Sequence, residues 1–147
     1  MDSANLVKVG IRDADGNVET PWAQRLGNNL YRPDNTPFFA YGISADDIVE
    51  ALPEEDGMLM FVRMVEKSGN RTVRVMLSEP AESEPGPTLL GIIKRLGCTF
   101  EGAYSRLICI CVPPNVLLDS LTDRLTRLGL EWEYADPTYE DLSPGGA

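Results

Sequence analysis

Residues Arg95–Glu101 read RLGCTFE, and thirty-two positions on Arg127–Glu133 read RLGLEWE, with the same Arg-Leu-Gly opening, an aromatic at the sixth place and Glu at the seventh. An amphipathic stretch precedes each copy. Leu89, Leu90, Ile92, Ile93 and Leu96 share one face ahead of Gly97, and Leu117, Leu118, Leu121, Leu125 and Leu128 recur at helical spacing ahead of Gly129. A glycine just past the last periodic residue is a helix stop. Thr88 and Asn115 stand where caps of these two helices are expected. Cys98–Tyr104 and Leu107–Val112 read as strands joined by a turn at Ser105, while Thr72–Leu77 and Leu130–Tyr134 flank them. Residues 72–134 therefore run strand, helix, strand, strand, helix, strand. A doubled βαβ unit of this length closes most simply as a ferredoxin-like (βαββαβ) layer of four antiparallel strands with both helices on one face.

Upstream the pattern changes to short strands punctuated by Gly, Asn and Asp at intervals of about ten residues, the mark of a small curled antiparallel sheet. Leu6–Ile11 ends at the turn Asp13-Ala14-Asp15-Gly16-Asn17, and Gly27-Asn28-Asn29 makes a second turn. The alternation Asp13, Asp15, Asn17 resembles a calcium loop but lacks its distal glutamate, since position 24 is Gln, so a hairpin turn is expected. Ser44 precedes Asp46–Ala51, which reads as one capped helical turn or as a strand. Met58–Glu66 alternates apolar residues on both faces and is expected to be largely buried on both sides, forming with Thr72–Leu77 a pair that joins the halves. The loop Ser78–Pro87, with three glutamates and three prolines, is expected to be irregular. The expected organisation is an α+β chain: a small antiparallel β-sheet or barrel-like half over 1–70, the ferredoxin-like half over 71–136, and a frayed acidic tail over 137–147.

Hydrophobic residues make up 43% of the 147 and charged residues 24%, enough apolar surface for a core. The formal charge of −10 repels phosphate backbones and anionic lipid, so nucleic acid and membrane are not expected partners and a basic protein is. The N-terminal MDSANLVKVG has no basic stretch followed by an apolar core, and no apolar run reaches spanning length, so a cytoplasmic protein is expected. Cys98, Cys109 and Cys111 each sit in an apolar segment and are expected to be reduced core residues. The chain has no histidine, which removes Ser-His-Asp and Cys-His machinery and the usual zinc ligands. Phosphate loops of the GxxxxGK[ST] or GxGxxG kind are also missing. An enzyme would have to use carboxylates, such as Asp46, Asp47 and Glu50 with a divalent metal or Glu19 with Asp34 as an acid and base pair. At the start of a helix Asp46 and Asp47 would only complement its dipole. No cofactor is expected.

The stretches Trp22-Ala23-Gln24-Arg25-Leu26-Gly27, Tyr31-Arg32-Pro33-Asp34-Asn35-Thr36-Pro37-Phe38-Phe39 and Gly42-Ile43-Ser44 are distinctive. With Asp47–Ala51, Phe61-Val62-Arg63, Thr72–Val75, Leu96-Gly97-Cys98 and Trp132-Glu133-Tyr134, they make the chain resemble a bacterial family known as domain of unknown function 4265. The resemblance spans nearly the whole chain and implies no catalytic residue. The polar and aromatic positions inside it, Glu19, Trp22, Arg25, Tyr31, Arg32, Asp34, Asn35 and Tyr41, are the binding candidates, with Asp46, Asp47 and Glu50 beside them. Against that stands a structural role, with Trp22 and Tyr41 in the core and Asp34-Asn35 in an Asx turn.

Acidic turns at Asp13–Asp15, Asp46–Glu50, Glu54–Asp56 and Glu79–Glu84, if they converge, would suit a cationic protein. The expected function is therefore a non-enzymatic protein-binding module, an immunity or inhibitor-type or regulatory partner of a basic protein. The alternative is a small-ligand-sensing domain of ferredoxin-like type.

Overall fold

Short alternating segments broken by Gly and Asn build the first half, and longer periodic ones build the second. The computed structural model describes residues 5–142. It is a mixed α+β fold, mostly antiparallel sheet, with three helices among the described residues. The first half contributes β1 (Leu6–Lys8), β2 (Ile11–Arg12), β3 (Val18–Glu19), β4 (Trp22–Gly27), β5 (Leu30–Pro33), β6 (Ile48–Pro53) and β7 (Leu59–Glu66). Five of these form a sheet in the order β1-β4-β5-β6-β7, and β2 pairs with β3 across the Asp13–Asn17 turn. Asp13 Oδ1 accepts the N–H groups of Asp15 and Asn17, both at 2.9 Å, and Gly16 takes a φ of +85°, so this acidic loop is a hairpin turn held by its own first residue.

The ends of the five-stranded sheet are tied together by one glycine. Past β1, the Gly10 N–H donates to Leu59 O and Gly10 O accepts from the Phe61 N–H, both at 2.8 Å. A Cβ at Gly10 would lie 2.4 Å from Met60 Sδ, so any larger residue here requires the Met60 side chain to move. Val9, Ala23, Tyr31, Val49 and Ala51 fill the interior this leaves.

The second half supplies β8 (Arg71–Met76), α1 (Gly86–Leu96), β9 (Thr99–Ala103), β10 (Leu107–Val112), α2 (Leu118–Arg127), β11 (Glu131–Asp136) and the short α3 (Tyr139–Leu142). The sheet order is β11-β8-β10-β9 and every neighbouring pair is antiparallel. Val73, Val75, Ile108, Ile110 and Val112 from the strands share one buried cluster with Leu89, Ile93, Leu121 and Leu125 from α1 and α2. Period-two alternation sends the other strand residues, Thr72, Arg74, Cys109 and Cys111, to the opposite face, and they too are buried. What covers that second face positions the candidate site.

Several expectations are corrected. β7 is not buried on both sides along its length: Val62 is 48% and Val65 39% exposed, and two register shifts against β6 interrupt its alternation. Nor does it pair with β8, which belongs to the other sheet. The Asp46–Ala51 alternative resolves to β6, with Asp46 at a φ of +68° leading into it. Thr88 does not cap α1. That helix starts earlier, at Gly86-Pro87, and the Thr88 hydroxyl donates to Glu84 at 2.6 Å. Asn115 does not cap α2 either; the residue before its first turn is Leu117, and Asp119 provides the acidic charge there. The expected frayed tail is in part ordered, since Thr138 and Asp141 bond reciprocally, N–H to Oδ2 at 3.0 Å and N–H to Oγ1 at 3.3 Å, to start α3. Residues 143–147 of that expectation lie outside the described residues. Among the described residues, no helix is long and apolar enough to cross a membrane.

Candidate functional site

Between β5 and β6 the chain runs from Asp34 to Asp47 without regular structure, since Pro37 and Gly42 interrupt any alternation. This segment crosses the second face of the four-stranded sheet as a strap, and carboxylates fasten it. Glu19 accepts the N–H groups of Phe38 (2.9 Å), Phe39 (2.9 Å) and Ala40 (2.6 Å), so one side chain satisfies three successive donors that have no ladder to join. Glu101 on β9 accepts from the Asn35 amide (3.1 Å) and the Thr36 N–H. Glu133 on β11 accepts from the Tyr41 hydroxyl at 2.7 Å. These last two are the seventh residues of the RLGCTFE and RLGLEWE echoes. In each copy the preceding aromatic, Phe100 or Trp132, packs against the helix-side core while the glutamate turns to the strap.

The far end of the strap is closed by ions. Lys67 Nζ lies 2.5 Å from both Asp47 Oδ2 and Asp136 Oδ2 and also donates to Gly42 O at 3.0 Å. The buried Ser44 hydroxyl donates to Asp136 at 2.6 Å and lies 2.7 Å from Thr72 Oγ1. Asp47 further accepts the N–H groups of Ser44 (2.8 Å) and Ser68 (2.7 Å). Two carboxylates inside the protein are thus met by one lysine and a shell of donors, which is what a buried charge requires.

Beneath the middle of the strap lies Arg74, only 4% exposed. Its guanidinium donates to Ala40 O and to Glu133 Oε1 (3.4 Å) and sits 5.0 Å from the centre of the Tyr41 ring, while its Nε has no partner. Beside it, burial pushes the Cys109 thiol up to about 12, against a weaker opposing pull from Arg74. Burial likewise raises Cys98 and Cys111. All three are free thiols, and none has the depressed pKa of a nucleophile. The hydrogen bond to Glu133 raises the Tyr41 phenol, so it stays protonated.

A cleft of about 540 Å³ opens where the strap, the β2–β3 turn and the second sheet meet. Ile11, Phe38 and Phe61 give it an apolar floor, and Asp13, Asp15, Tyr41 and Glu133 stand around it. Its two arginines are occupied: Arg12 pairs with Glu54 at 3.2 Å, and Arg74 is held as described. Asp15, by contrast, holds a carboxylate that no donor engages among the described residues, as does Glu131 in a neighbouring pocket that shares Arg74, Met76, Leu107 and Glu133 with the cleft, and Asp13 uses one oxygen, within its own turn. Phe39 and Met76 of this cleft are 42% and 47% exposed, and Tyr104, 76% exposed in the adjoining pocket, meets Phe39 at a tilt of 42° with ring centres 5.9 Å apart.

The sequence candidates divide by position. Glu19, Asn35, Tyr41 and Asp47 come together as fastenings of the strap. Trp22 and Tyr41 are not core residues; they are 46% and 56% exposed, and Lys8 sits 5.2 Å from the centre of the Trp22 ring. Tyr31 is core, with Arg25 bonded to its hydroxyl at 3.3 Å, and Glu50 pairs with Arg63 on the neighbouring strand at 3.0 Å. Arg32, Asp34 and Asp46 make no side-chain hydrogen bond among the described residues. Asp46, Asp47 and Glu50 do not form a set, because Asp47 and Glu50 are engaged by different cations. Glu19 and Asp34 do not pair, since the Glu19 carboxylate is filled by backbone donors. Among the described residues no group of three or more Asp, Glu or Cys is arranged to hold a metal ion. Of the four acidic turns, the contact between Arg12 and Glu54 brings Asp13–Asp15 beside Glu54–Asp56, while Asp47 is turned inward. Arg74, Lys67, Glu101, Glu133 and Asp136 were missed. The only signal for any of them was the repeated glutamate of the two echoes.

A family model described as Domain of unknown function (DUF4265) matches residues 19–135. No curated protein matches the chain. A solved structure described as a novel crystal structure of a hypothetical protein from Neisseria gonorrhoeae is similar, with a TM-score of 0.72 at 20% identity over 88% of this chain and 94% of that one. At that identity the likeness shows the shared fold alone.

Proposed function

The chain belongs to the DUF4265 family, and from that premise we propose that it is a non-enzymatic module that binds a basic protein through the aromatic and acidic cleft beside the strap. The observation that carries this reading is the asymmetry of the charges there. Both arginines are already paired; among the described residues Asp15 in the cleft and Glu131 in the pocket next to it are not, and exposed Phe39 and Met76 line the cleft with Tyr104 against Phe39. Apolar anchors surrounded by uncompensated carboxylates suit a cationic partner, whose approach the net charge of −10 would accelerate. An immunity or inhibitor-type role in the cytoplasm is the form such binding would take.

The same reading takes the second half as ferredoxin-like with both helices on one face, and the first half as barrel-like. The strand order β11-β8-β10-β9, the helices in both crossovers and their common core support the former; the Gly10 tie supports the latter. It also treats 1–70 and 71–136 as subdomains joined by the strap.

The test is a paired capture from the native host with the wild-type chain and an Asp15→Lys, Tyr104→Ala variant, at low and high salt. A basic protein retained only by the wild type at low salt is expected. Retention by both chains, or of acidic proteins only, would count against the proposal. A second reading, small-ligand sensing, is favoured by the cleft volume and the unpartnered Arg74 Nε. A thermal shift with a metabolite and no protein partner would select it.

A further inference from the structure

On the far side of Tyr41 a separate pocket of about 380 Å³ lies between the strap and the end of the chain, lined by Tyr41, Tyr134, Tyr139, Glu133, Glu140 and Thr138. Tyr134 and Tyr139 meet edge to face, ring centres 5.0 Å apart at 80°, so two phenol rings form a corner. Trp132 also meets Tyr134 edge to face, at 4.9 Å and 85°. No lysine or arginine is among the lining residues, and two carboxylates are. We propose that Tyr41, Tyr134 and Tyr139, with Glu133 and Glu140, form a cage that binds the quaternary ammonium head group of a small molecule.

The chemistry selects this class in three steps. Ring faces carry negative potential and attract a cation set against them, and the two glutamates add to that attraction. The volume is far larger than a bare metal ion needs and lies in the range of small-molecule sites. A primary ammonium would bring three N–H groups needing acceptors, yet Glu133 is already engaged by Tyr41 and Arg74, which leaves Glu140 as the one carboxylate lining the pocket that is uncommitted among the described residues. A quaternary ammonium has no N–H to leave unpaired, so rings can replace its loosely held water. Arg74 lies over the Tyr41 ring, so Tyr134 and Tyr139 supply most of the attraction.

This inference does not rest on the protein-binding reading. Choline is titrated into the full chain, with the backbone amides of Tyr134, Tyr139 and Glu140 followed by NMR at constant ionic strength. Saturable shifts confined to this corner are expected. The neutral carbon isostere 3,3-dimethylbutan-1-ol should bind at least about fivefold more weakly, and Tyr139→Leu or Glu140→Lys should weaken choline by a similar factor while Tyr139→Phe keeps it. Both substituted positions are exposed, so the fold should survive, which a thermal melt checks. Equal binding of the isostere, shifts reproduced by sodium chloride, or choline binding indifferent to both Tyr139→Leu and Glu140→Lys would overturn the cage.

Discussion

Glu19 shows how little a residue's type says about its use. As an isolated carboxylate in a recognisable stretch it reads as a binding group, yet its oxygens are filled by three backbone donors of the strap. Glu19→Gln would turn an amide nitrogen towards at least one of those donors, and a loss of about 1–3 kcal/mol is expected in urea unfolding. Cys109 makes a prediction about pH. Buried, its thiol ionises near 12, whereas in the unfolded chain it ionises near its ordinary value. Above about pH 9 the unfolded chain therefore sheds a proton that the native protein keeps, and stability should fall as pH rises from there towards 12. Cys109→Ala should flatten that decline between about pH 9 and 10.5, and a slope unchanged by the substitution would show the thiol to be irrelevant. The buried, reduced character of the three cysteines was legible from their apolar neighbours. The pairing of Arg74 with Ala40 was not, because it joins positions 34 residues apart through a segment with no pattern to align it.

At the level of elements, α1 and α2 were legible with their glycine stops, Gly97 at a φ of +86° and Gly129 at +69°, because one-sided leucine periodicity followed by a left-handed residue is a local signal. Their starts were not, because the beginning of α1 is set by a tertiary contact. A Cβ at Gly86 would lie 2.0 Å from the carbonyl oxygen of Ala81 in the preceding loop, so a small residue decides where the helix can begin. The same helix holds Gly91, where a Cβ would meet nothing nearer than an Arg95 nitrogen at 3.9 Å. One substitution at two sites should therefore have opposite signs. Gly86→Ala is expected to cost about 2–3 kcal/mol, since backbone cannot move aside cheaply, and Gly91→Ala to stabilise by about 0.5–1 kcal/mol. Thermal unfolding of the pair of variants reads both. The strap was illegible as an element for the opposite reason. It has no period, and its bonds are to side chains scattered through both halves.

Across the whole molecule, the two sheets share no ladder, and the strap and its ionic end couple them. Lys67→Met would leave Asp47 and Asp136, both buried, without a cation, and a loss of about 1–3 kcal/mol is expected, moderated because the lysine itself is partly exposed. Trp22 lies in the first sheet and Trp132 in the second, so Trp132→Phe and Trp22→Phe each leave one reporter half. In an otherwise native background the two reporters should trace coincident urea transitions, and with Lys67→Met they should separate if the ionic contact is what makes the halves cooperative. The alternation of short strands followed by two periodic helices was enough to read a mixed α+β chain. How the halves meet was not readable, because the contact is made by single polar residues.

Apart from Glu19, the side chains that fasten the strap from outside come from residues that follow it. Tyr41 waits for Glu133 and Ser44 for Asp136, each 92 positions later, and Asn35 waits for Glu101, 66 positions later. During synthesis the first sheet can therefore emerge with its longest connection held by Glu19 at Phe38–Ala40 but not yet at Asn35, Tyr41 or the Ser44–Asp136 contact, whose partners arrive only with the later strands. A chain stalled or clipped before Glu131 would lack the bonds of Tyr41 to Glu133 and of Ser44 to Asp136, leaving that part of the connection open for a chaperone or a protease to act on.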